Sequence, residues 1–197
     1  MTTFKVKGGV KLKGDLHPQG AKNEALQVLC AVLLTPEEII MENVPDIRDV
    51  NILIDLLHDL NVSIKKINNN TYSFKAKDLN IDYLSSKAYK EKSSRIRGSI
   101  MIVGPLLARY GKGFIPRPGG DKIGRRRLDT HFIGFEKLGA KFTYDSKEEF
   151  YRVTTKQLKG VNMLLDEASV TGTANIIMTA VMAKGKTTIY NAACEPY

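Results

Sequence analysis

The chain has 197 residues, 43% hydrophobic and 26% charged, with 30 Lys and Arg against 21 Asp and Glu for a net charge of +9. That length buries a sizeable core in one domain or two small ones, and no apolar run is long enough to span a bilayer. Cys30 and Cys194 have no metal-ligand spacing, residues 1–7 lack a signal peptide's apolar stretch, and the charge suits an anionic partner such as a phosphorylated small molecule, a nucleic acid or a membrane surface. These features predict a cytoplasmic protein.

Taken in order, Phe4, Val6, Val10 and Leu12 alternate with lysines around Gly8-Gly9, the pattern of one or two short strands. A turn over 15–20 leads to a helix over 23–34, with Ala25, Leu26, Val28, Leu29, Val32 and Leu33 on a broad buried face. Residues 39–41 form a short buried strand, ended by Asn43-Val44-Pro45. Asp49 suits an N-cap for a second helix whose Val50, Leu53, Ile54, Leu57 and Leu60 keep helical spacing, with Asn61 closing it. Strands over 63–67 and 71–75 flank Asn68-Asn69-Asn70, a hairpin signal.

The order helix, strand, helix, hairpin then recurs. A helix over 98–109, a strand over 113–115, a helix over 128–138 and a hairpin over 142–154 repeat it, and a third copy starts with a helix over 172–183 and a strand over 187–190. Leu33, Leu107 and Val181 are spaced by 74 residues, as are Met41, Ile115 and Ile189, and Asn43, Arg117 and Asn191. Self-similarity at a fixed period argues for copies of one supersecondary unit that stack to bury their faces. Leu60 and Leu138 are separated by 78, so the second copy carries four extra residues, assigned to the stretch 119–127. The third copy is unfinished at Tyr197, which predicts a fragment of a longer protein. Asn23, Arg97 and Thr171 are equivalent, each at a helix start. Thr171 alone marks an ordinary cap, but three converging N-termini make an anion-friendly surface.

The stretch 116–131, Pro-Arg-Pro-Gly-Gly-Asp-Lys-Ile-Gly-Arg-Arg-Arg-Leu-Asp-Thr-His, stands apart. Its glycines and prolines exclude a regular helix or a central strand. A glycine-rich segment ringed by Lys and Arg and running into a helix suits phosphate or carboxylate groups. Trp is absent, and the other aromatics are spaced as core, which argues against single-stranded nucleic acid.

Gly20-Ala21-Lys22-Asn23, Arg97-Gly98-Ser99, residues 104–109 (Gly-Pro-Leu-Leu-Ala-Arg), Pro118-Gly119-Gly120, Ile123-Gly124, Arg126, Asp129 and Ser169-Val170 resemble the motifs of the enolpyruvyl transferases, in the branch that acts on UDP-N-acetylglucosamine. The resemblance implies a mixed α/β (α+β) fold, an inside-out α/β barrel of repeated βαβαββ units, with this chain as one domain of two and its third repeat truncated. Residues 1–20 would be strands belonging to the second domain, and 21–197 the N-terminal domain. It implies transfer of the enolpyruvyl group of phosphoenolpyruvate to the 3′-hydroxyl of UDP-N-acetylglucosamine with release of phosphate, the first committed step of peptidoglycan synthesis, with no cofactor or metal and with neither nucleic acid nor membrane as partner.

By motif position, Lys22, Arg97 and Arg126 would hold the anionic groups of phosphoenolpyruvate, Asn23 the sugar and reacting centre. Arg126, Arg127, Leu128, Asp129 and Thr130 would line the uridine side, with Ser169 and Val170 at the diphosphate. Lys22 and Asp121 would be catalytic. The resemblance puts a catalytic aspartate base and a further arginine in the second domain, which leaves the fragment inactive alone. Three positions depart from the family pattern: Asp121 replaces a cysteine, Glu167 a lysine and Arg127 a proline. Fosfomycin alkylates that cysteine, so Asp121 implies insensitivity. Alternatives are a shikimate-pathway enolpyruvyl transferase, whose motif places a serine after the lysine where this chain has Asn23, and an RNA-terminal-phosphate cyclase or RNA-binding module, which the charge permits but no catalytic histidine motif or aromatic platform in this sequence supports.

Overall fold

The structure, a computed structural model, describes residues 3–116, 127–147 and 150–196. The first unit comprises α1 (Lys22–Ala31), a 3₁₀ turn Val32–Leu34, β1 (Glu38–Met41), α2 (Arg48–Asp59), β2 (Ser63–Lys66) and β3 (Tyr72–Lys75). β3 lies between β1 and β2, antiparallel to both, with Phe74 opposite Ile39 and Ile64. A connecting segment without a periodic pattern forms a 3₁₀ turn Ile81–Ser85 and α3 (Lys87–Ser93). It is tied down where Asp59 accepts hydrogen bonds from Tyr83 Oη (2.7 Å) and from Lys92 Nζ.

The second unit repeats the plan with a 3₁₀ turn Arg97–Ile102, α4 (Val103–Tyr110), β4 (Lys112–Pro116), α5 (Asp129–Lys137), β5 (Lys141–Asp145) and β6 (Phe150–Thr154), and β6 again takes the centre of its sheet. The third contributes β7 (Asn162–Leu164), α6 (Val170–Ala180) and β8 (Thr188–Tyr190), with β7 parallel to β8 across the helix. β7 was not anticipated, because three residues are too few for a period to register.

The repeat is visible in the backbone itself. Asn43 and Asn191, two repeat lengths apart, have φ of 56° and 57°. Leu60 and Leu138 are the C-caps of α2 and α5, each followed by a left-handed residue, Asn61 at 69° and Gly139 at 101°. Asn and Gly are the residues that tolerate that region, so the 78-residue spacing holds.

The first helices of the copies, α1, the 3₁₀–α4 segment and α6, pack on one another, with α2 against α1 and α5 against α6. Leu29, Leu33, Leu53, Leu57, Leu107, Phe135 and Ile176 fill the space between them without solvent exposure. Helices occupy the interior and the sheets face outward: the inside-out α/β arrangement. Arg109, from the motif over 104–109, clamps two units by donating to the carbonyls of Leu33 (3.1 Å) and Ala76 (2.6 Å).

Residues 3–21 form no strand within this chain, and Phe4, Val6 and Leu12 are 88, 88 and 95% exposed; a strand needs a neighbour for its N–H and C=O groups, and none of the described strands pairs with this stretch. Other expectations are corrected. β1 is an edge strand rather than a buried one, with Ile40 60% exposed, and Val28 faces out of α1. α2 starts at Arg48 without a side-chain cap. Asp49 instead sits in its first turn, where a carboxylate meets the positive end of the helix dipole.

Candidate functional site

Three helix starts converge on one cavity of about 370 Å³, lined by Lys22 and Asn23 of α1, Arg97, Gly98 and Met101 of the 3₁₀ turn, Val170 and Thr171 of α6, and Asp49 of α2. The sequence placed Asn23, Arg97 and Thr171 at equivalent positions, and all three line this cavity. Lys22 opens α1 and Arg97 opens its 3₁₀ turn. A cation at the positive end of a helix is unfavourable by some 0.3–1 kcal/mol. An anion placed between the helix starts reverses that sign, since it meets cations and unpaired N–H groups together.

Asp49 supplies part of the counter-charge, with its Oδ2 at 3.2 Å from Lys22 Nζ. Arg97 donates to the backbone carbonyl of Arg127 at 3.0 Å, which joins the cavity to a second cluster at its rim. There Arg127 meets Asp129 (Nε–Oδ2, 2.9 Å) and Asp166 (3.5 Å), and Thr130 Oγ1 donates to Asp166 at 2.7 Å. Asp129 holds the Arg127 guanidinium above its ordinary pKa. Leu128 is half-buried beside them.

The expected site residues therefore fall into two groups. Lys22, Asn23, Arg97 and Val170 come together at the cavity, and Arg127, Leu128 and Asp129 lie at the rim. Thr130 is buried, its hydroxyl spent on Asp166, so its side chain braces the turn before α6. Ser169 caps α6 by accepting from the Gly172 N–H at 3.1 Å. Asp121 and Arg126 lie outside the described residues, as do most of the four extra residues assigned to 119–127.

Sequence reasoning missed three groups. Asp49 has the residue type of a cap but pairs with Lys22 at the cavity. His131, the last residue of the stretch 116–131, is 1% exposed; burial, and then the neighbouring Arg97, push its imidazole down to about 4. Asn175 is fully buried in α6, and the signal was there: an amide inside the apolar run Ala174-Asn175-Ile176-Ile177-Met178. Among the described residues, no group of three or more His, Cys, Asp or Glu could hold a metal ion, and no helix is long and apolar enough to cross a membrane.

The sequence model of the family described as EPSP synthase (3-phosphoshikimate 1-carboxyvinyltransferase) matches residues 6–197. A UDP-N-acetylglucosamine 1-carboxyvinyltransferase from Bacteroides fragilis is 59% identical over all 197 residues, which cover 45% of that protein. One from Porphyromonas gingivalis is 55% identical, again over the whole chain and 45% of its own length. The chain thus spans about 45% of the length of these curated relatives. Among solved structures, the enolpyruvyl transferase NikO from Streptomyces tendae superposes with a TM-score of 0.75 at 16% identity, over 92% of this chain and 42% of that one. EPSP synthase from Acinetobacter baumannii does so with 0.65 at 16% identity, over 93% and 41%.

Proposed function

This chain belongs to the EPSP synthase family, whose match spans residues 6–197, and from that premise we propose that the full-length protein transfers the enolpyruvyl group of phosphoenolpyruvate to the 3′-hydroxyl of UDP-N-acetylglucosamine, releasing phosphate at the start of peptidoglycan synthesis. The names of the relatives at 55–59% identity support the choice of acceptor. The observation that carries the chemistry is the cavity where Lys22 and Arg97 stand at the heads of their helices beside Asn23 and Val170.

The reaction is addition followed by elimination, and it needs cations around a phosphate and a carboxylate, a proton donor for the methylene carbon and a base for the sugar hydroxyl. Lys22 and Arg97, with Arg126, bind the two anionic groups of phosphoenolpyruvate. Lys22 leaves Asp49 for the phosphate, a stronger charge-assisted acceptor. Asn23 orients the sugar hydroxyl, Asp121 delivers the proton, and Arg127, Leu128 and Asp129 at the rim take the uridine end, with Ser169 and Val170 near the diphosphate. The base and one more arginine belong to a second domain outside this chain, against which residues 1–20 pair as strands.

The test supplies the full-length protein with phosphoenolpyruvate and either UDP-N-acetylglucosamine or shikimate 3-phosphate, and follows phosphate release. Release is expected with the UDP-sugar alone. Release with shikimate 3-phosphate alone overturns the acceptor. Residues 1–197 by themselves should release none with either.

A further inference from the structure

The 3₁₀ turn that carries Arg97 and Gly98 gives way to α4 at Val103; Pro105, with no N–H to offer the Met101 carbonyl, and a side chain from α6 both stand at the break. The Val103 N–H donates to the Ile100 carbonyl in the tight 3₁₀ pattern. In a continuous α-helix the Gly104 N–H would share that carbonyl. Instead the Asn175 carboxamide stands between them: Gly104 N–H donates to Asn175 Oδ1 at 2.8 Å, and Asn175 Nδ2 donates to Ile100 O at 3.0 Å. A side chain inserted into the hydrogen-bond ladder is a known cause of a break in a helix. Gly104 makes room for it, since a Cβ there would lie 2.2 Å from Asn175 Oδ1.

The backbone partners fix which end of the amide is oxygen and which is nitrogen. The second proton of Nδ2 then points at His131 Nδ1, 3.0 Å away, which must be a lone pair. His131 is therefore neutral with its proton on Nε2, 3.3 Å from Thr171 Oγ1. Every member of this chain is buried or half-buried, and its last member, Thr171, lines the cavity. Because residues i and i+3 eclipse in a 3₁₀ turn, Gly98 and Met101 are stacked on the cavity wall beside Arg97.

We propose that Asn175, oriented by His131, is a positioning residue that imposes the 3₁₀ path on residues 97–102 and so aims Arg97 at the anion held in the cavity. The pair acts through Arg97 and touches no substrate. The anion-binding role of the cavity rests on the function proposed above; the hydrogen-bond order does not.

Three measurements on the full-length protein test this. Nitrogen NMR of ¹⁵N-histidine-labelled wild type should show His131 with Nδ1 unprotonated and Nε2 protonated; the opposite tautomer or an imidazolium at pH 7 overturns the proposal without any variant. Calorimetric titration with inorganic phosphate should show affinity falling about fivefold or more in His131→Leu and Asn175→Ala, but changing less than about twofold in His131→Asn, whose amide oxygen can replace the Nδ1 acceptor. In an Arg97→Ala background the His131→Leu and Asn175→Ala changes should have almost no further effect, because they act through the missing guanidinium. Equal losses in both backgrounds mark a merely structural role and sink the proposal. Phosphate binding and coupling without enolpyruvyl transfer would refute the proposed function and leave the positioning role standing.

Discussion

Lys22 Nζ lies 3.2 Å from Asp49 Oδ2, which ties the head of α1 to the first turn of α2 at the edge of the cavity. The two side chains are 44 and 41% exposed, so the pair contributes no more than about 1 kcal/mol to folding. In the reaction proposed above, it presents a cation whose partner the substrate phosphate displaces. Lys22→Ala should lower kcat/KM of the full-length protein by the equivalent of about 2–4 kcal/mol, and Arg126→Ala should do the same. The melting temperature of Lys22→Ala should move by only a few degrees, as expected for the loss of an exposed pair. Kinetics and thermal denaturation on the same samples check this, and activity lost only in step with melting temperature would make Lys22 structural.

His131 gives the fold a sensitivity to acid. Its folded pKa is about 4, against an ordinary value of 6.5, so the unfolded chain binds a proton there first as the pH falls. The contribution of the neutral imidazole is complete above pH 6.5 and declines from there down to about pH 4, by about 3 kcal/mol in all. Urea denaturation between pH 4 and 7 should therefore show a slope in wild type that is reduced in His131→Asn, which has no proton to take up. Parallel slopes in the two proteins would contradict it.

Much of the fold was legible because it is written three times. Leu33, Leu107 and Val181 announce equivalent helices, and Asn43 and Asn191 equivalent turns whose left-handed backbone follows from the residue type. The convergence of Asn23, Arg97 and Thr171 on one cavity followed from the same register. What escaped has identifiable causes. The segment Lys87–Ser93 with its preceding turn belongs to no repeat, and β7 is three residues long. The alternation of Phe4, Val6, Val10 and Leu12 is a pattern for a strand, but alternation cannot supply the neighbour that a strand pairs with. Asn175 shows in the sequence as an amide in an apolar run, but which groups it and His131 bridge depends on which helices meet, and a one-dimensional period carries no trace of that.

Gly104 tests that meeting directly. A Cβ at this position would lie 2.2 Å from Asn175 Oδ1, 2.6 Å from the Asn175 carbonyl oxygen and 2.9 Å from Thr179 Oγ1. Two of those atoms belong to side chains held by hydrogen bonds, and the third is backbone, so none can yield cheaply. Gly104→Ala should destabilise by about 3 kcal/mol or more. At Gly98 the nearest obstacle is Leu26 Cδ1 at 3.3 Å, the end of a flexible side chain, and Gly98→Ala should cost about 1 kcal/mol. Chemical denaturation of the two variants should rank them in that order, and a stable Gly104→Ala would mean that α4 and α6 are farther apart than described.

In the reaction proposed above, Asp121 delivers the proton to the methylene carbon. It lies outside the described residues. The resembling family carries a cysteine here, and an epoxide antibiotic of the fosfomycin type is attacked by that cysteine's thiolate, a soft nucleophile. A carboxylate is much the poorer nucleophile towards an epoxide, so the full-length protein should keep its activity after incubation with fosfomycin. Proton donation is a different task, and a carboxylic acid and a thiol can both perform it from the same position. Their ordinary pKa values differ by more than 4 units. Asp121→Cys should therefore retain turnover, become inactivated covalently by fosfomycin, and move the alkaline limb of the pH–rate profile upward. Asp121→Asn has no proton to give, and should lose nearly all turnover while still binding UDP-N-acetylglucosamine in a calorimetric titration. If the Asn variant turned over at the wild-type rate, proton delivery would have to come from elsewhere in the site, and Asp121 would be no more than a polar residue among the glycines.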